Sequence, residues 1–260
     1  MSGPFSHVSN RLAIPVVVVS TSLSAMCSCT ASGPSDLSEA RSLITRCDGP
    51  AFSYIAIDGT ESSNPGGLEG PRERAVRGEL SRVAACNGRA KVVVFSSSSA
   101  ATLTLFEGSI RLVGATDQAK ARRLPHEVDV VTADVKDRYA KVVPHLDPAG
   151  SDPVAQMRLF AEWRDQLGSG EFRMLELTDG MQNVGTTVRQ IVASPDSAAA
   201  RFPVPNLDGA EVTFAGISEV TGKVPPTTVV DALKAFYAAL CKRSGAKRCR
   251  VVSEAAGAMS

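Results

Sequence analysis

Tyr54-Ile55-Ala56-Ile57-Asp58-Gly59-Thr60-Glu61-Ser62 is the stretch on which the reading of this chain turns. Its apolar half reads as a buried strand. Leu68 to Ala85, just beyond, is amphipathic and reads as a helix. A carboxylate and two hydroxyls at alternate positions, Asp58, Thr60 and Ser62, therefore leave the carboxyl end of a strand together. In open α/β sheets that end is where ligands bind. Oxygen donors of this kind suit a hard divalent cation such as Mg²⁺.

Working outward, Ala31 to Asp36 is a Ser/Gly/Pro linker, Leu37 to Thr45 a short helix and Ser53 to Ile57 the first strand. Pro71 suits a first helical turn. Val76, Leu80, Val83 and Ala84 recur at helical spacing, with Arg72, Glu73, Arg77 and Arg82 assigned to the other face. Asn87-Gly88 stops that helix. Lys91 to Phe95 is a β-branched run of the kind found in strands covered on both faces. Ser96 to Ser99 form a polar break. Thr102–Phe106 and Ile110–Val113, separated by Glu107-Gly108-Ser109, predict a hairpin. Further helices are expected over Val128–Val143 and Val154–Leu167, with a Pro/Gly/Asp loop, Pro144 to Pro153, between them. Strands are expected at Phe172–Leu177, Glu211–Ile217 and Arg250–Val252, and Ala193 to Asp208 reads as irregular. Thr228 is placed to cap a last helix, with Asp231 three residues on. Strands alternating with helices predict a doubly wound, mostly parallel sheet with one antiparallel edge strand.

The 260 residues are enough for one sizeable core. With a formal net charge of +1 and 5% aromatic residues, the chain has neither the basic stripe nor the stacking platform of a nucleic-acid binder. Arg11, the apolar segment from Leu12 to Leu23 and the small residues that follow read as an export signal. Cys27 and Cys29 lie in loose lipobox-like contexts, with Met26 departing from the pattern in both. Cys47, Cys86, Cys241 and Cys249 remain, an even number that suits an oxidising compartment and allows three pairings. Short basic clusters at Arg122-Arg123, Lys242-Arg243 and Lys247-Arg248 read as solvated faces or helix C-terminal charges.

Three fragments now stand in order: Asp58-x-Thr60-x-Ser62, Gly150-Ser151-Asp152 before a helix, and Leu177-Thr178-Asp179-Gly180 at a strand end. Together they resemble a von Willebrand factor A-type domain, over roughly Phe52 to Ser253. The resemblance implies a Rossmann-like sheet with a metal-ion-dependent adhesion site on its top face. The family's Asp-x-Ser-x-Ser falls on Asp58, Thr60 and Ser62, its isolated threonine on Ser151 and its final aspartate on Asp179. Thr116 is a rival for the Ser151 position. Mg²⁺ is the implied ion, with Mn²⁺ or Ca²⁺ as alternatives, and an acidic side chain of a protein or other macromolecule is the implied partner. Met181, Gln182 and Asn183 would rim the site. The same topology puts Cys47 and Cys86, and likewise Cys241 and Cys249, at the bottom of the sheet, which implies the bridges Cys47–Cys86 and Cys241–Cys249.

The expected layout is an export or lipoprotein signal over 1–29, a linker and short helix over 30–50, the domain over 51–254 and a tail over 255–260. Such a chain would be exported, to the cell envelope or beyond, with the membrane reached only through a lipid anchor or an uncleaved signal. Catalysis is not expected. Asp58-Gly59-Thr60 also resembles part of the haloacid dehalogenase phosphatase motif Asp-x-Asp-Gly-Thr, but Ala56 stands where the nucleophilic aspartate belongs. The Gly-x-Ser-x-Gly elbow of a serine hydrolase does not occur. His7 lies in the signal, while His126 and His145 are placed in or near loops. A scaffold of the same fold with a degenerate metal site is the remaining alternative.

Overall fold

The structure is a computed structural model that describes residue 3, residues 36–63 and residues 66–259. The expected signal over 1–29, including Cys27 and Cys29, lies outside the described residues apart from Gly3. Strands β1 (Ala51–Asp58), β2 (Arg89–Phe95), β3 (Leu103–Ser109), β4 (Glu171–Leu177), β5 (Glu211–Ala215) and β6 (Arg248–Val252) form one sheet in the order β3-β2-β1-β4-β5-β6. β3 runs antiparallel to β2, and every other neighbouring pair is parallel. The chain is thus α/β, with one antiparallel edge strand.

Helices α1 (Leu37–Thr45), α2 (Gly70–Ala85), α3 (Asp117–Val142), α4 (Pro153–Arg164), α5 (Val188–Ala193), α6 (Pro195–Ala200) and α7 (Thr227–Ser244) cover the sheet. Ile55, Ile57, Val92, Val94 and Leu175 pack with Val76 and Leu80 of α2 and Leu124 of α3 on one face. Tyr54, Ala56, Val93, Met174 and Phe214 pack with Phe160 of α4 and Phe236 of α7 on the other. Coverage on both faces is why β1 and β2 read as unbroken apolar runs. The chain leaves β1 toward β2 and β3, then returns to pair β4 on the other side of β1. The carboxyl ends of β1 and β4 therefore form the topological switch point.

Several local expectations are corrected. Glu107-Gly108-Ser109 is not a turn but the end of β3. Glu107 lies between Arg89 at 2.9 Å and Lys91 at 3.0 Å, and this charge ladder holds β3 against β2. Ile110–Val113 forms no strand, although Ile110 and Leu112 are buried. α3 begins at Asp117 rather than Val128, because the Thr116 hydroxyl accepts from the Ala119 amide and caps it. The helix continues through Pro125, so His126 is helical. The stretch from Ala193 to Asp208 contains α6, and the Thr187–Gln190 capping box starts α5 just before it. Thr228 caps nothing: α7 starts at Thr227 after Pro226, without a side-chain cap. Residues 255–259 form a 3₁₀ helix whose Ala255 is buried in the core. Both bridges, Cys47–Cys86 and Cys241–Cys249, are formed as the topology implied.

Candidate functional site

Asp58 ends β1 and is fully buried. Gly59 follows as the chain turns over β2, its amide donating to the Phe95 carbonyl at 2.9 Å. The turn brings Thr60 back onto Asp58. Both the Thr60 amide, at 3.0 Å, and its hydroxyl, at 2.7 Å, donate to Asp58 Oδ1. Asp58 Oδ2 accepts from the hydroxyls of Ser151 at 3.0 Å and Thr178 at 2.7 Å. Four donors from three segments thus converge on one carboxylate.

Ser151 arrives on the loop between the 3₁₀ turn Val143–His145 and α4. Gly150 allows this approach, since a Cβ there would lie 2.0 Å from Ser97 Cβ. The loop is tied to its surroundings by the Asp152 amide on the Ser96 carbonyl and the Glu61 amide on the Pro148 carbonyl. Asn183 accepts from the Ser151 amide at 2.8 Å and donates to the Ala149 carbonyl at 2.6 Å. Gln182, expected at the rim, is instead fully buried, where its side chain joins Asp152 to the Val154 amide. Thr116, the rival hydroxyl, is consumed as the cap of α3.

Asp179 follows β4 and is also buried. Its Oδ1 accepts from the Met181 amide at 2.8 Å, while Oδ2 has no hydrogen-bond partner. Burial first, and then the Asp58 charge, push its pKa up to about 6, against the opposing pull of the Met181 amide, the Ser62 hydroxyl and Arg72. Ser62 therefore stands by Asp179, while Thr60 and Ser151 stand by Asp58.

Four further residues complete the surroundings, and the sequence reading had assigned none of them to the site. Arg72, expected on an outward helix face, is 5% exposed and points into the site floor. It donates to the carbonyls of Asp58 at 3.1 Å, Leu177 at 2.8 Å and Ser63. It thereby joins the ends of β1 and β4. Ser63 accepts from the Asp179 amide at 3.0 Å, and Thr178 shares Asp58. Glu176, one strand-length step below, is fully buried with both oxygens unpartnered. Burial, then the Asp58 and Asp152 charges, hold its carboxyl well above the usual carboxylate range. Arg72 stands four residues before Val76 and eight before Leu80, on the apolar stripe of α2, so the helical spacing itself pointed inward and only its charge had placed it on the outer face.

The donor chemistry fits a hard cation. The Asp58 charge lies close enough to raise the pKa of Asp179, one Asp179 oxygen is buried without a hydrogen-bond partner, and the other nearby donors are hydroxyls. Among the described residues no group of three or more His, Cys, Asp or Glu side chains is arranged to hold a metal ion.

No family model and no curated protein matches the chain. Solved structures do resemble it. An aerotolerance-related membrane protein from Bacteroides fragilis NCTC 9343, carrying multiple mutations to serine, is 16% identical over 80% of this chain and 94% of that one, with a TM-score of 0.44. The conserved hypothetical protein BatB from Bacteroides thetaiotaomicron is 13% identical over 78% and 90%, with a TM-score of 0.38. The pilus adhesin SpaC from Lactobacillus rhamnosus GG is 12% identical over 81% of this chain and 28% of that one, with a TM-score of 0.40. Superpositions this loose assign neither activity nor partner, and the fold rests on the sheet order itself.

Proposed function

We propose that this chain is a binding module of the von Willebrand factor A type. In this reading Asp58, Thr60, Ser62, Ser151 and Asp179 hold a divalent cation, Mg²⁺ first and Mn²⁺ or Ca²⁺ as alternatives. The partner is a protein or other macromolecule that presents an acidic group. The observation that carries the reading is the convergence of hydroxyls from separate loops on Asp58, beside an Asp179 whose Oδ2 is buried and unpartnered. A bound cation supplies an electrophilic position for a partner carboxylate.

The chain's own residues do the rest. A hydroxyl that donates its hydrogen to Asp58 keeps oxygen lone pairs for a second partner. Asp58 and Asp179 supply negative charge, and Arg72 braces the two strand ends that carry them. The two disulfides suit an oxidising compartment, which supports an exported chain. No described helix is long and apolar enough to cross a membrane.

The test is a calorimetric Mg²⁺ titration of the native chain and of Asp58→Asn, which preserves side-chain shape, with circular dichroism as the check on folding. Binding should be saturable in the native chain and lost in a folded Asp58→Asn. Undiminished binding in that variant removes the assignment.

A further inference from the structure

We propose a second interaction surface, at the opposite edge of the sheet from β3. There β6 and the flank of α7 take an extended acidic segment of a partner protein as a seventh strand. Among the described residues β6 ends the sheet, with no strand on its outer side. Beside it lies a groove of about 450 Å³. Its floor is Ala235 and Ala238 of α7, Val251 of β6 and the Cys241–Cys249 bridge, and its walls are Lys234 and Lys242. Alanines in two successive turns leave space beneath α7 where larger side chains would fill it. The bridge ties the end of α7 to β6.

Charge selects the occupant. Lys242 and Lys247 are exposed and have no ion-pair partner among the described residues. Arg248 reaches Glu211 only at 3.8 Å, and Glu211 is shared with Arg173 at 3.2 Å. Lys234 makes one long contact, to Ser253 at 3.5 Å. Lys234 and Lys242 thus line the groove, and Lys247 and Arg248 lead into the edge strand. They repel a second copy of the same edge and attract a segment carrying Asp or Glu. The β3 edge differs, because Glu107 there is already engaged by Arg89, Lys91 and Trp163. Strand addition supplies main-chain hydrogen bonds, and the small apolar floor admits alternate side chains of modest size.

The probe is a dye-labelled ten-residue peptide of alternating Glu and Val, titrated by fluorescence anisotropy in chelator. Chelator separates this surface from the cation site. Binding should be saturable, weaken with added salt and fall by about tenfold or more in Lys234→Glu/Lys242→Glu, whose substitutions lie outside the core. A peptide N-methylated at alternate residues should lose binding, since it cannot complete a strand ladder. The proposal is overturned if the native chain does not bind, if the N-methylated peptide binds equally, or if a short DNA duplex displaces the peptide at equal charge concentration. A requirement for Mg²⁺, abolished in Asp58→Asn, would move the peptide to the other site and overturn it too.

Discussion

The Ser151 hydroxyl donates to Asp58 Oδ2 at 3.0 Å across 93 residues of chain. The contact depends on a loop that passes so close to Ser97 that Gly150 has no room for a side chain. Two distant segments are thereby held as one buried cluster of oxygens.

Ser151→Ala should weaken Mg²⁺ binding by about tenfold or more, if the ion is held as proposed. The lost hydrogen bond itself should cost only about 1 kcal/mol of stability. Gly150→Ala should give the same loss of affinity by displacing Ser151 rather than removing its oxygen. Calorimetry for the ion and thermal melting for the fold check both, and Mg²⁺ affinity unchanged in the two variants would contradict the role of the loop.

Arg72→Met should destabilise the chain by about 3 kcal/mol, because three buried carbonyls at the ends of β1 and β4 lose their donor. Arg72→Lys should recover only part of this, since an ammonium cannot span the same fork of acceptors. Urea unfolding measures the cost. A loss within a few tenths of a kcal/mol would mean that water replaces the guanidinium without penalty.

Stability should fall as pH rises above the ordinary carboxylate range. Burial, then the Asp58 and Asp152 charges, raise the folded-state pKa of Glu176 well above its ordinary 4.5. The folded state then holds more protons than the unfolded one, so unfolding free energy decreases with pH. The contribution is complete below about pH 4.5 and is lost as pH climbs toward the folded value of Glu176. Asp179 acts with the same sign between 3.8 and about 6. In chelator, the native chain should therefore lose stability as pH rises from about 4.5, and Glu176→Gln should flatten that slope. Denaturant titrations across that range provide the comparison, and an unaltered slope in the variant would count against a raised Glu176.

The two bridges should differ in worth. Cys47–Cys86 closes a separation of 39 residues and Cys241–Cys249 one of 8. In the chain-entropy account, removing the first costs about 4 kcal/mol and removing the second about 2.5 kcal/mol. Paired Cys→Ser variants unfolded in urea test the order. The reverse order would show that the short bridge contributes through native packing at the foot of α7.

Much of this molecule is local. Val92, Val93 and Val94 announce a doubly covered strand because β-branched runs suit little else. Asp58 at the end of an apolar run marks a ligand-facing strand terminus, and the foot-of-sheet cysteines follow once the strand order is supposed. The places where local reading failed are equally specific. Thr116 rivalled Ser151 for the ligand position until the start of α3 showed it to be a cap. Glu107-Gly108-Ser109 has turn composition, yet it stays extended because Arg89 and Lys91 on the next strand hold Glu107.

The sequence by itself determined the alternation of strands and helices, while the family resemblance implied that Asp58, Ser151 and Asp179 gather at one end of the sheet. Periodicity and side-chain type are properties of neighbouring residues and need no knowledge of the fold. Only the tertiary structure decided which carbonyls Arg72 meets, that Gln182 is a buried tie rather than a rim contact, and that Glu176 is sealed without a partner. Burial of a charged or amide group is settled by the acceptors it meets. For Arg72 one of those is the Leu177 carbonyl, 105 residues away along the chain.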